Sequence, residues 1–294
     1  MALILATLWW AAAAVAVPDD PAGPVSGGTR AALVERINEV RKAHSRPPLV
    51  VNRVLTSVAD ARAARGAEPP PDPDVTTPQD RDAALRSGYE AQIFSEAFLR
   101  AGGDADDVLA AAADAPDFGD ELVAAEAKDI GVGVSREKPP LYVLIFARSM
   151  PDFFAEKTAA LTDLGGVRSA ILSRVNRARA EAHLLPLRSN PLLDETALRH
   201  ARDMLARSYY GHDSPEGTDV FQRSKAAGYR PRFAGENIAR GQYSADEVMD
   251  GWLASKQHRD HILAKNFVDT GCAVVFGKNA SGWQVLWVQA FGRP

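Results

Sequence analysis

Residues 33 to 59 recur 138 positions further on with their spacing intact, and a chain that writes one pattern twice is constrained to fold as two units of one kind. Leu33, Arg36, Ile37, Asn38, Arg41, Pro48, Leu49, Asn52, Leu55 and Ala59 are answered by Ile171, Arg174, Val175, Asn176, Arg179, Pro186, Leu187, Asn190, Leu193 and Ala197. At an offset of 140, Gly88-Tyr89, Glu96, Ala105-Asp106, Val108, Asp129 and Gly131 match Gly228-Tyr229, Glu236, Ala245-Asp246, Val248, Asp269 and Gly271, so two residues are gained in between. Residues 30 to 148 therefore read as a diverged copy of residues 168 to 291, and 294 residues suffice for two domains of ordinary size.

Each copy opens with apolar residues at steps of three and four, Leu33, Ile37, Val40 in one and Ile171, Val175, Ala178, Ala182 in the other, which predicts an amphipathic helix. A second helix follows each Pro-Leu; in the second copy Leu193, Ala197, Ala201 and Met204 or Leu205 face the core, and Pro191 sits near the helix start, where its missing N–H costs little. A third helix around 218 to 227 stops at Gly228, and a fourth begins at Ser244, with Glu247 at the capping-box position. The period then changes. Gly271 to Phe276 and Trp283 to Phe291 read as strands joined by a Lys278-Asn279-Ala280-Ser281-Gly282 turn, as do Ile130 to Val134 and Leu141 to Phe146 in the first copy. Helices around a small antiparallel sheet predict an α+β, layered architecture in each domain.

The boundaries follow from composition. Met1 to Val17 is almost wholly apolar and ends in Ala14-Val15-Ala16, the pattern of a signal peptide, with an uncleaved N-terminal membrane anchor as the rival reading. Residues 18 to 29 form a leader rich in Pro and Gly, 30 to 149 the first domain, 150 to 165 a linker whose Phe153-Phe154 docks on one domain, and 166 to 294 the second domain. With 46% hydrophobic and 24% charged residues the chain is of soluble globular type, and its net charge of -4 supplies no basic footprint for nucleic acid. Cys272, the single cysteine, has no internal disulfide partner and reads as a buried inert thiol.

Three stretches of the second copy carry chemistry: His212-Asp213-Ser214-Pro215, Gly235-Glu236-Asn237-Ile238, and Trp252, Ser255, His258-Arg259 with Ile262-Leu263. Two imidazoles and a carboxylate make a candidate metal or catalytic centre, His212, Glu236 and His258, of which His212 and His258 are the candidate metal ligands. Two histidines alone imply weak or partner-completed binding of zinc or another divalent cation, since structural zinc takes four ligands and catalytic zinc three plus water. Glu236 has three open roles: completing a His-His-Glu set, orienting an imidazole, or acting as general base on water. His200 and His261 read as core or surface residues, Asn237 and Trp252 as structural supports of the cleft loop, and Tyr209-Tyr210 as a possible cleft wall. The first copy puts Pro71, Asp72 and Pro73 where His212 falls and Phe118 where His258 falls, keeping only Glu96, so it reads as a non-catalytic scaffold, packing partner or lid.

The second copy resembles the CAP superfamily (cysteine-rich secretory proteins, antigen 5, pathogenesis-related 1), in its bacterial SCP-like branch. The resemblance rests on Asn176-Arg177-Ala178-Arg179, Leu187, Asn190, Leu193, Ala197, Ala201, Met204, His212-Asp213-Ser214, Gly228-Tyr229, Gly235-Glu236-Asn237-Ile238-Ala239, Trp252-Leu253-Ala254-Ser255, His258-Arg259, Ile262-Leu263 and Gly271. It implies tandem α-β-α sandwich domains, the first a degenerate copy, and a cleft in which His212 and His258 correspond to the family's paired imidazoles and Glu236 to its first acid; the place of the second acid falls to Ser255. The expected function is that of a secreted or cell-envelope protein whose cleft binds a divalent metal, a peptide or a lipid-like ligand, with no organic cofactor, no nucleic acid and no stable membrane insertion once the signal is cleaved. A metal-assisted or Glu236-activated hydrolase and a cell-envelope interaction scaffold are the alternatives; a hydrolase would lack a Gly-x-Ser-x-Gly nucleophile motif.

Overall fold

The computed structural model describes residues 27–66, 78–113 and 118–294. The signal and leader expected before residue 27, and the Pro71–Pro73 loop, lie outside the described residues. The chain divides into two compact units, Met1–Phe153 and Phe154–Pro294.

In the first unit the order is α1 (Gly27–Ala43), β1 (Val50–Val51), α2 (Arg53–Ala64), α3 (Pro78–Arg86), β2 (Ala91–Arg100), α4 (Ala105–Ala113), α5 (Phe118–Val123), β3 (Asp129–Val134) and β4 (Leu141–Ser149). After α6 (Met150–Thr158) and a short 3-10 turn, the second unit repeats that order as α7 (Leu164–Glu181), β5 (Arg188–Ser189), α8 (Pro191–Arg207), α9 (Val220–Ala226), β6 (Phe233–Arg240), α10 (Ala245–Ala254), α11 (Lys256–Ile262), β7 (Asp269–Asn279) and β8 (Gly282–Arg293). The sheets also share one topology, β1-β3-β4-β2 and β5-β7-β8-β6.

The long strands of each sheet pair antiparallel as expected, and one short parallel pair is added at an edge. The two-residue strands β1 and β5 pair parallel to β3 and β7, because the chain reaches that edge from a helix on one face and leaves it into another. β6, a strand the sequence reading did not assign, pairs with β8 in continuous antiparallel register from Phe233↔Arg293 to Arg240↔Leu286. The expected linker is also ordered secondary structure. Phe154 of α6 is buried in the second unit, its ring 4.7 Å from that of Trp283 and 6.3 Å from those of Tyr243 and Phe276, while Phe153 lies 5.0 Å beneath the Arg148 guanidinium.

The repeated residues hold equivalent joints. Asn38 exchanges two hydrogen bonds with the Leu49 backbone, and Asn176 does the same with Leu187. Buried Arg41 donates to the carbonyls of Pro47, Leu122, Ala124 and Ala127, and Arg179 to those of Leu185, Ile262 and Ala264. Tyr89 donates to Asp129 at 2.7 Å and Tyr229 to Asp269 at 2.9 Å. A Cβ at Gly131 would stand 2.3 Å from the Leu55 carbonyl carbon, and at Gly271 2.3 Å from that of Leu193, so each helix lies too close on its strand for any side chain there.

Helix ends behave locally as expected, with one exchange. Ser244 caps α10 by accepting from Glu247 N at 3.1 Å, but the Glu247 carboxylate takes the Tyr243 N–H; the reciprocal capping box forms at α9, between Asp219 and Gln222. Gly228 ends α9 at φ +91, the left-handed region that favours glycine.

Candidate functional site

The site is built on β6, the edge strand of the second sheet. Strand alternation sends successive side chains to opposite faces. Ile238 belongs to the core beneath α8 and Ala239 packs into the other core, which contains Val248, Met249 and Trp252 of α10. Glu236 shares the α8 face and Asn237 the α10–α11 face.

On its face Glu236 is 3% exposed and accepts three hydrogen bonds: from His200 Nδ1 at 2.9 Å, His212 Nδ1 at 3.0 Å and Arg223 Nη2 at 2.8 Å. Arg223 also donates to the carbonyls of Thr218 and His212, fixing the turn that carries His212. Burial alone would raise the Glu236 carboxyl, but the bonds from His200 and His212 and the nearby positive charge hold it down at about 2. The carboxylate is thus charged and fully engaged. The hydrogen bond that His212 donates to Glu236 in turn raises His212 above its ordinary value against the opposing effect of burial.

On the other face Asn237 donates to the His258 carbonyl at 3.1 Å and accepts from His261 Nδ1 at 2.9 Å, tying α11 to β6. Trp252 is buried and donates to the Ile238 carbonyl at 3.3 Å. The anchor at the far end of α11 is Arg179, through the Ile262 and Ala264 carbonyls. His258 has no side-chain hydrogen-bond partner among the described residues; burial lowers it, and the charge of His212 lowers it further. His261 is lowered for the same first reason and also feels His212. His212 comes from the α8–α9 side and His258 from α11, so the two imidazoles come within each other's field at a sheet edge.

The structure brings Glu236 and His212 together directly and sets His258 in electrostatic reach of His212. It differs from the sequence reading at His200, which was set aside and is a direct partner of Glu236, 1% exposed, with its Nε2 unpartnered. A signal was available: His200 sits three after Ala197 and four before Met204 on the core stripe of α8, where an imidazole needs a polar partner. Arg223 carries no comparable mark, since it lies on a short helix with charged neighbours. Ser255 joins α10 to α11 and makes no side-chain capping bond. Tyr209 donates to Asp203 at 2.6 Å with its ring 6.1 Å from that of His200, and Tyr210, 41% exposed, stacks under Arg240 at 5.0 Å. Cys272 is buried, and burial pushes its thiol up to about 12, as an inert core cysteine requires.

The donor set supports a metal only in part. With its Nδ1 on Glu236, His212 has Nε2 as its remaining ring nitrogen, and the side chain is 47% exposed. Both Glu236 oxygens are engaged by protein donors, and among the described residues no group of three His, Cys, Asp or Glu has the arrangement of a metal site. Glu236 accepts from Nδ1 of His212, the contact an orienting carboxylate makes behind an imidazole.

The first unit carries other residues at the positions equivalent to this cluster. Arg62 replaces His200, Ala83 replaces Arg223, Ala97 replaces Asn237 and Glu121 replaces His261, with Glu96 alone retained. Arg62 turns to Asp80 at 3.3 Å and lies 5.2 Å over the Phe98 ring. The loop opposite His212 and the Phe118 side chain fall outside what the structure describes.

The second unit is thus a layered α+β domain with a histidine-bracketed carboxylate at its sheet edge. Residues 172–291 match the family model of the CAP, or cysteine-rich secretory protein, family, and the second unit carries a CAP domain. The chain is 31% identical over 134 residues to the uncharacterized protein YkwD of Bacillus subtilis, covering 46% of this chain and 50% of that protein. It is 29% identical over 104 residues to the uncharacterized membrane protein YlbC of the same organism, covering 35% of this chain and 30% of that one. It thus spans half or less of these relatives' lengths. Among solved structures, an extracellular SCP-domain protein of Bacillus anthracis aligns over 53% of this chain and 52% of its own, at 22% identity and a TM-score of 0.41.

Proposed function

We propose that this is an exported binding protein whose second unit takes up a ligand at the edge of β6, through His212 and His258, with a divalent cation such as zinc as the simplest occupant and a peptide or lipid-like molecule as the larger one. The observation that carries this reading is the Glu236 cluster. A buried carboxylate fixes the Nδ1 of a half-exposed imidazole, leaving Nε2 to meet a ligand. Two imidazoles would supply half of a tetrahedral shell, so the ligand's own donors would complete it and affinity for the free ion is modest.

A hydrolase using Glu236 as general base is disfavoured by the same cluster. A carboxylate held at about 2, with both oxygens already accepting from protein donors, is a poor proton acceptor at neutral pH. Export is proposed from the apolar N-terminal segment; no helix among the described residues is long and apolar enough to cross a membrane.

Zinc titration by calorimetry tests the reading, comparing the chain with a His212→Ala, His258→Ala double variant. Saturable binding that the double variant loses is the expected result. Identical traces would remove the metal and leave a polar groove or an interaction scaffold.

A further inference from the structure

The first unit lost the histidine site but holds a cavity of about 650 Å³ of its own, walled by Arg30, Asp60, Ser135, Arg136 and Glu137 over a floor of Ala63, Ala64 and Val134. Most of the corresponding surface of the second unit is apolar, although Arg168 stands where Arg30 does and the exposed Arg202 where Ala64 does. At equivalent positions Asp60 is Leu198, Ser135 is Val275, Arg136 is Phe276 and Glu137 is Gly277. There Leu198 and Val275 pack against the core under α8, and Phe276 packs into the other core with its ring 6.3 Å from that of Phe154. The helix above differs too: α2 and α8 start at equivalent residues, but α2 runs for 12 and α8 for 17, so Leu205 of α8, which lies 3.4 Å from the Cβ position of Gly277, has no counterpart within α2. One fold thus fills this surface with apolar side chains in one unit and opens it, lined with polar ones, in the other.

The polar lining is ordered, not a random set of surface charges. Asp60 takes a two-pronged ion pair from Arg30 at 2.7 and 2.9 Å and the Val134 N–H at 3.2 Å. Ser135 is buried, and its oxygen accepts from Leu141 N at 2.8 Å and Glu137 N at 3.3 Å, which leaves its own hydrogen to donate. Glu137 is paired with Arg100 at 2.5 Å. Of the charges in the wall, Arg136 is exposed and has no partner among the described residues.

We propose that this cavity binds a small monocarboxylate bearing hydroxyl groups, a sugar acid being the fitting class. Arg136 presents a planar fork of donors that matches a carboxylate. Asp60 and Glu137 keep lone pairs that accept from hydroxyls, and the same two carboxylates oppose a dianion such as phosphate. The volume falls within the roughly 300–1,000 Å³ of small-molecule sites. This site is independent of the cluster at Glu236.

The experiment follows backbone amide shifts of the full chain as D-glucuronate is added, with D-glucose and inorganic phosphate as parallel probes. Saturable shifts at Val134 to Glu137 with glucuronate are expected, with little response to glucose or phosphate. Arg136→Phe, which installs the second unit's residue at an exposed position, should weaken binding at least tenfold, and Arg136→Lys should retain part of it. Absence of saturable shifts, an unchanged response in Arg136→Phe whose spectrum is otherwise that of the parent, or an equal response to glucose or phosphate would each overturn the proposal.

Discussion

Replacing Glu236 by Gln keeps the shape of the buried side chain and removes its charge, so the loss measures what the cluster is worth. The carboxyl sits at about 2 instead of its ordinary 4.5. At about 1.4 kcal/mol for each tenfold change, that difference corresponds to about 3 kcal/mol favouring the folded, ionised form. The group is almost wholly buried, so solvent screening takes little from it. Because the folded value is depressed, this stability is present in full above pH 4.5 and is lost as pH falls toward 2. Gln also keeps only one oxygen for the three donors His200, His212 and Arg223, leaving buried cationic or polar groups short of an acceptor. Denaturant unfolding of parent and Glu236→Gln, followed by tryptophan fluorescence with Trp252 and Trp287 buried in the second unit's core, should give a gap of about 3 kcal/mol at pH 7 that narrows below about pH 4 and is mostly gone near pH 2. A gap under about 1 kcal/mol, or one that stays constant from pH 7 to pH 2.5, would refute the reasoning.

Two further outcomes follow from the same network. Histidine ring resonances should titrate above 6.5 for His212 and below 6.5 for His258, and Glu236→Gln should bring His212 back toward 6.5; since His212 is raised, its contribution to stability is full below 6.5 and fades as pH rises through its folded value. Arg179→Met removes a buried guanidinium from the carbonyls of Leu185, Ile262 and Ala264 and should cost about 3 kcal/mol in unfolding measurements, with faster amide exchange along α11.

What was legible in the sequence is what one residue can announce by itself. Asn176, Arg179, Tyr229 and Gly271 each hold a joint between two elements, and Asn38, Arg41, Tyr89 and Gly131 hold the same joints in the first copy. The strand β6 was not legible. Gly235 opens its buried stretch and two polar side chains, Glu236 and Asn237, occupy the middle, so the run lacks the apolar alternation that marks a half-buried strand. Those polar side chains are buried because partners arrive from 24 to 36 residues away in sequence, His200 and His212 on one face and His261 on the other, and no local pattern carries that information.

The two units together separate scaffold from site. The first unit keeps the Asn38, Arg41 and Tyr89 joints while Arg62, Ala83 and Ala97 stand where the cluster was, so the joints do not depend on the cluster. The converse does not hold. His258 is placed by α11, and α11 is held at its end by Arg179 and in its middle by Asn237, so a scaffold residue and a site residue jointly position the second imidazole. The cluster stabilises the unit that carries it, by the roughly 3 kcal/mol worked above, yet the first unit reaches the same sheet topology with other residues at those positions, so the fold itself does not depend on it.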